Sequence, residues 1–365
     1  MQRGLLILTV LLLAVAAFRF GYQMGADNSA GQTGPDVAVS TVTATPTFYD
    51  DVPGWSDDLA FDLSACTACP LRDSWGDTVA AYFEDHFVIE ALSTPTGDQG
   101  LMTGYYAPVI DARLKPDDDF SVPLYGRPAD LVTVRLERFD PALKGKVIHG
   151  RWDENADAFV PYADRAAIDD NADLVPIAYV RDKVVRFFLQ IQGSGLLRFS
   201  DGQMMRAGYA GKNGRPYHAI GRDLITAGEI APADMSMQAI RGWLYGNPEK
   251  AEDLMDKNPA FIFFQLDGQG LAVKGAANVP LLPDQSVAVD PAYHAYGEFL
   301  YVYDTASDTG RIVRADDTGG AIRGPLRLDL YRGVGDDGAA KAGPMAAPIR
   351  LYRLVPRQQG DKAGL

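Results

Sequence analysis

From Ala260 to Val355 the chain reads as a succession of short strands. Ala260 to Leu266, Ser286 to Val289, Glu298 to Tyr303, Arg311 to Ala315, Arg327 to Tyr331 and Ile349 to Val355 are rich in branched and aromatic residues, with Gly, Pro and Asp between them. Short strands with such turns point to a small closed barrel. One stretch inside this region carries more than packing: Asp317-Thr-Gly-Gly-Ala-Ile-Arg-Gly-Pro-Leu-Arg-Leu-Asp329. Two carboxylates flank a Gly-Gly turn and a Gly-Pro turn. Glycine admits positive φ and close approach of a ligand. A carboxylate at the end of such a segment can be fixed while its tip faces a groove.

The upstream chain is more varied. Residues 27–58 are rich in Gly, Ser, Thr, Asp and Pro without apolar period, the pattern of a linker. Asp77 to Leu92 places Val79, Tyr82, Phe83, Phe87 and Ile89 at helical spacing and reads as an amphipathic helix. Gly104 to Phe199 is strand-like, with alternation at Val132–Phe139 and again at Val184–Gln192. Pro216 to Ala227 and Asp234 to Tyr245 read as helices. A third helix starts with Asn247 as N-cap and Pro248 at the first helical position, and ends near Asn258.

A net charge of −14 argues against a nucleic-acid footprint, which needs a basic face. The N-terminus reads as an export segment. Met1-Gln-Arg-Gly is a basic n-region, and Leu5 to Phe18 is apolar apart from Thr9. These 14 residues fall short of the roughly 20 that span a bilayer. They fit a signal peptide cleaved after Ala14-Val-Ala16, or a signal anchor reaching to Ala26. The expected location is the periplasm, soluble or tethered to the inner membrane, with membrane contact only through this segment. The two cysteines, Cys66 and Cys69, form a lone C-x-x-C pair, and the four histidines are scattered. That disfavours zinc and leaves a local disulfide or a plain structural role.

Several blocks resemble one family in the same order. They are GYYAPVIDA from Gly104, VPLYGRP from Val122, FFLQIQGSGLLRF from Phe187 and GYAGKNGRPYHAIGR from Gly208. MSMQAIRGWL from Met235, NPAFIFFQ from Asn258, VPLLPDQSVAVD from Val279 and DTGGAIRG followed by RLDLYRGVG complete the set. Together they resemble the membrane-bound lytic murein transglycosylase A family over roughly Leu63 to Val355. The resemblance implies a mainly β protein, with a double-psi β-barrel formed by residues 59–107 and 259–357. It implies an inserted β-rich substrate domain at 108–258, a few helices, a groove between the domains, and a tail at 358–365. No Cys directly follows the apolar run, a departure from lipid-anchored members. After Val289-Asp290 the family's Pro-x-Gly turn is replaced by Ala295-Tyr296-Gly297.

The implied reaction cleaves the β-1,4 bond between N-acetylmuramic acid and N-acetylglucosamine and leaves a 1,6-anhydromuramic end, with no metal or cofactor. Most glycosidases use two carboxylates and a water. Here the muramic 6-hydroxyl attacks its own anomeric carbon, so one carboxyl can act first as acid, then as base. The resemblance puts that role on Asp329, with Asp317 as a supporting acid. Read without it, Asp317 is a turn cap and Asp329 an outward strand residue. Gln190 and Gln192, placed on one face of a strand, would bond sugar hydroxyls through their amides, with Gly193 and Ser194 allowing close approach. Tyr105, Tyr106, Asn213 and Tyr217 join the expected substrate contacts. Arg323 and Arg327 are candidates for a glycan carboxylate or lactyl group. The implied partners are peptidoglycan glycan strands, with cell-wall synthesis or division proteins as further candidates. The rival readings are a hydrolytic glycosidase of the same barrel type and a non-catalytic peptidoglycan-binding protein.

Overall fold

The structure is a computed structural model that describes residues 41–62, 78–143, 146–169, 174–268 and 271–357. The apolar N-terminus, Cys66, Cys69 and the C-terminal tail lie outside these residues. The order begins with β1 (Thr43–Thr47), α1 (Val79–His86), β2 (Phe87–Ser93), β3 (Gln99–Ala107), β4 (Val109–Arg113), β5 (Val122–Tyr125), β6 (Val132–Arg135) and β7 (Val147–Asp153). It continues with β8 (Ala158–Val160), α2 (Arg165–Asp169), β9 (Pro176–Val180), α3 (Lys183–Gln192), β10 (Gly195–Arg198), β11 (Met204–Lys212), α4 (Gly221–Thr226), α5 (Met237–Gly246) and α6 (Pro248–Asp256). The last elements are β12 (Ile262–Asp267), β13 (Ser286–Val289), β14 (Phe299–Asp304), β15 (Thr309–Thr318), β16 (Arg327–Val334), α7 (Gly335–Ala342) and β17 (Ala346–Pro356). None of the described helices is long and apolar enough to cross a membrane.

The described chain divides into two compact units. One holds the residues up to Gly104, Lys274–Arg332 and those from Met345 on. Its strands run β17-β14-β15-β13-β16-β3, and β3 pairs back onto β17, so six strands close a ring. Strands β2 and β1 extend from β17 outside that ring. Alternation sends Met102, Val287, Val289, Val313, Leu328, Leu330, Ile349 and Leu351 into one buried cluster. A second cluster packs α1 and Phe61 against Phe299, Tyr301 and Tyr352. Two expectations change here. The expected linker at 27–58 ends early, because Thr43–Thr47 pair with Ile89–Ser93 and Val52, Leu59 and Phe61 are core residues. The expected helix at 77–92 stops at His86, where the chain turns extended to bond β1 and β17.

The other unit holds Tyr105–Val273 and Gly333–Pro344. Its main sheet has the order β12-β11-β10-β4-β9-β5, and a separate ribbon has the order β6-β7-β8. Strand β12 bonds β11 over Ile262–Asp267, so it belongs to this sheet and not to the barrel. The largest correction is α3. Residues 183–192 are helical, not an alternating strand. Asp182 caps the start by accepting from Val185 N, and Gly193 ends it in the left-handed region at φ 77. The helix lies between two cores: Leu189 and Val185 pack on the sheet, while Val184, Phe187 and Phe188 pack on α4, α5 and α6. The helix expected over Pro216–Ala227 is shorter, at Gly221–Thr226. The ones at α5 and α6 stand, with Pro248 in the first turn of α6. The alternation at 132–139 gives a strand only to Arg135, because Leu136 begins a 3-10 turn and donates to Lys146 O.

Candidate active site

In the barrel unit, Leu328 and Leu330 face the interior, so Asp329 takes the opposite face of β16. Thr103 of β3 donates its hydroxyl to Asp329 Oδ1 at 2.6 Å. Arg327 Nη2 donates to the same Thr103 oxygen at 2.8 Å, and its Nη1 meets Leu101 O and Leu328 O. Burial pushes the Asp329 carboxyl up to about 6. Arg327 and the Thr103 hydrogen bond pull it down, and the charge of Asp317 pushes it up. Such a group is protonated for part of the time near neutrality, as a proton donor must be.

Asp317 sits at the end of β15, and register places it on one rung with Asp329. Ala288 of β13 is the partner of Asp317 on one side and of Asp329 on the other. Two strand spacings separate the two backbones by about 10 Å. The rung depends on a bulge: Val287 pairs with Ala315, and Ala288 with Asp317, leaving Asp316 as the extra residue. Asp316 is buried and accepts from Ser286 Oγ at 2.6 Å and Arg314 Nε at 2.7 Å. Asp317 Oδ1 accepts from Ala276 N at 2.9 Å and Thr318 N at 2.8 Å. The turn-cap role and the coupling to Asp329 are thus both present. The loop to β16 is pinned by Asp290, whose Oδ2 accepts from Gly324 N at 2.8 Å, with Gly324 at φ 96. Arg323 is more than half exposed and lies 3.8 Å from Asp290. Arg327 is spent within the fold. Gly297 of the Ala295-Tyr296-Gly297 stretch adopts φ 86, a region that glycine enters freely.

The remaining expected contacts lie in the other unit and divide into enclosed and accessible groups. Gln190 is enclosed: its Oε1 accepts from Arg165 Nη1 at 2.6 Å, and its Nε2 donates to Ile262 O at 3.2 Å. Asn213 is fully buried, donating to Ala163 O and Pro259 O and accepting from Phe261 N. Both tie secondary elements together. On a helix, Gln190 and Gln192 are about 200° apart, so the shared face expected for them does not exist. Gln192 is partly exposed and accepts from Tyr106 N at 3.3 Å. Tyr106 is mostly buried, Tyr105 is partly exposed and Tyr217 is 43% exposed. Gly193 and Ser194 form the turn into β10, where a side chain on Gly195 would strike Leu189 and Pro108 O. Among the described residues no group of three or more His, Cys, Asp or Glu could hold a metal ion.

Comparison with known proteins converges on these same segments. Residues 101–265 match the MltA specific insert domain, and residues 285–355 match the 3D domain. The membrane-bound lytic murein transglycosylase A of Vibrio cholerae is 32% identical over 289 residues, 73% of this chain and 69% of that protein. The chain belongs to the membrane-bound lytic murein transglycosylase A family. A crystal structure of a membrane-bound lytic murein transglycosylase from Agrobacterium tumefaciens has a TM-score of 0.66 and 33% identity, covering 76% of this chain and 78% of that one. E. coli MltA with bound chitohexaose has a TM-score of 0.60 and 30% identity, covering 74% and 76%.

Within this candidate site, Thr103 is the residue that sequence reasoning missed. Its strand signal was present: Met102 is an inward residue, which sets Thr103 outward beside Tyr105. Its chemical meaning was not, because its partner lies 226 positions away.

Proposed function

We propose that this chain is a lytic murein transglycosylase in which Asp329 alone handles the proton. The observation that carries this reading is the barrel-strand carboxyl raised to about 6 and held by Thr103. In the first step Asp329 gives its proton to the glycosidic oxygen as the bond from the muramic anomeric carbon breaks. In the second, the muramic 6-hydroxyl oxygen attacks that carbon and its proton passes to the Asp329 carboxylate. The acid is regenerated, no water is consumed and the product ends in 1,6-anhydromuramic acid. Chitohexaose in the E. coli relative supports a glycan strand as the ligand. The closed six-strand ring, with β13 and β15 parallel, supports the finer assignment to a double-psi barrel. Murein lies outside the cytoplasmic membrane, in line with the export segment at residues 1–26.

A second reading has one observation in its favour. Asp317 and Asp329 share a rung at about 10 Å between backbones, a span that suits inverting hydrolases with a water between two carboxylates. Against it, Asp317 Oδ1 is occupied by two backbone N–H groups, which weaken it as a base. Digestion of purified murein followed by mass analysis separates the two. Anhydro ends are expected; reducing ends carrying one oxygen from labelled water would establish hydrolysis instead.

The pH profile tests the role of the neighbours. The donor must be protonated, so the rate is expected to fall as pH rises above about 6. Thr103→Val removes a bond to the charged form and should move that limb to higher pH. Asp317→Asn removes a repelling charge and should move it to lower pH. Initial rates across pH read both shifts, and limbs unmoved in both variants would remove Asp329 from the profile.

A further inference from the structure

The inserted unit contains a pocket beside two of the expected substrate contacts, Tyr106 and Gln192. It opens beside the C-terminal end of α3, with Tyr106, Gln192 and Phe188 in its wall and Arg181, Arg241 and Phe120 around it. Each arginine is backed by an aromatic ring: Arg181 lies 5.0 Å from the Phe120 centroid and Arg241 lies 4.7 Å from the Phe188 centroid. Neither is within ion-pair distance of a described carboxylate. Two guanidinium groups therefore sit within cation–π distance of a ring, Phe120 being shared with Arg113 at 4.0 Å, and neither makes an ion pair or hydrogen bond among the described residues. Gln192 adds a third donor. Its Oε1 is taken by Tyr106 N, while its Nε2 finds only the Met237 sulfur at 3.8 Å, a weak acceptor.

The acids of the pocket offset this only in part, since Asp111 lies within reach of the Arg181 charge but is already bonded elsewhere. Asp111 is paired with Arg198 at 2.7 Å, and that bond holds its carboxyl below the usual range. Asp336, exposed in the first turn of α7, is the remaining anion. Two free planar cations, an amide donor and one acid at the rim suit a ligand with a carboxylate and a nearby amine. A bare sugar face offers neither.

We infer that this pocket binds a carboxylate of the substrate's peptide stem, with Arg181 and Arg241 as the fork and Gln192 as an added donor. The inference rests on the murein reading above. It makes the enzyme a reader of stem peptides in addition to glycan. Murein has two sources of carboxylate: the stem residues in intact strands, and the lactyl group once an amidase has removed the stem. The assignment here is to the stem.

The test compares wild type with the Arg181→Ala/Arg241→Ala double variant on intact strands and on amidase-stripped strands. For intact strands KM is expected to rise about tenfold or more, the scale of charge-assisted hydrogen bonds, with kcat near wild type. For stripped strands both constants should stay near wild type. Equal loss on both substrates would assign the arginines to the glycan backbone, loss on stripped strands alone would assign them to the lactyl group, and no loss would leave the stem unread; each overturns the inference. Should the double variant melt early, Arg181→Ala alone must show the same preference loss, since Arg181 is exposed and carries little of the fold. Calorimetric titration with a disaccharide-tetrapeptide and with the bare disaccharide reads the pocket without catalysis. Tighter binding of the peptide form by wild type, lost in the variant, is the expected result, and equal binding of the two overturns the inference. If wild type makes no anhydro ends from either substrate but the peptide preference in binding persists, the reaction assignment fails and the pocket assignment stands.

Discussion

Asp329→Asn is expected to lower the release of 1,6-anhydro fragments from murein by about a hundred- to ten-thousand-fold, the usual worth of a general acid or base. The amide keeps the shape of the carboxyl and still accepts from the Thr103 hydroxyl. It has no proton to give at the pH of the reaction and none to recover from the 6-hydroxyl. Sedimentation with insoluble murein should show that strands are still bound, and mass analysis of the soluble fraction should find almost no anhydro ends. The same variant has a signature in stability. A carboxyl raised to about 6 in the folded protein, against about 3.8 unfolded, takes up a proton on folding between those values. Wild type therefore loses stability as pH rises from about 4 to about 6, and the loss persists above. The amide has no such dependence. The melting-temperature difference should move in favour of the variant across that window. Wild-type turnover in the variant, or a flat difference, would refute the role given to Asp329.

Gln190→Ala is expected to lose about 2–4 kcal/mol of stability, because it strips a partner from a buried charge and a donor from a backbone carbonyl at once. Arg165 is almost wholly enclosed, and burial depresses its guanidinium to about 10. Its other bonds go to Asn258 O and Ala260 O, so Gln190 supplies its side-chain acceptor. Without Gln190 one N–H of Arg165 and the carbonyl of Ile262 face apolar neighbours. Chemical unfolding monitored by fluorescence measures the loss. A variant within about 0.5 kcal/mol of wild type that binds glycan poorly would return Gln190 to the substrate surface.

The contrast between these two residues marks what the amino-acid sequence makes legible. Asp329 was singled out by the family resemblance, and the alternation of β16 made only its outward face legible, with Leu328 and Leu330 inward. Strands of the barrel obey this rule, and Ser286–Val289 begins and ends where alternation and turns place it. Gln190 was misjudged because α3 is buried on two sides. Its polar stripe of Lys183, Arg186 and Gln190 is engaged by Asp169 and Arg165, and its Val-Val and Phe-Phe pairs mimic a strand. The correcting signals were local, Asp182 as N-cap and Gly193 as the left-handed stop. At Phe87 the failure has another cause. The spacing of Phe83 and Phe87 suits a helix, and pairing with distant β1 and β17 overrides it. Thr103 shows the remaining limit: an acid's pKa depends on a hydroxyl from β3, distant in sequence and next to β16 in the sheet.

Strand β17 gives that ring a consequence in time. Its first half bonds β3 and its second half bonds β2, while β14 lies along most of its length. Until Ala346–Pro356 has been made, β14 and β3 both have open edges and the wall holding Thr103 against Asp329 is unclosed. A partly synthesised chain thus lacks the environment that raises the acid. The acid's surroundings are therefore complete only once β17 has joined β14 to β3.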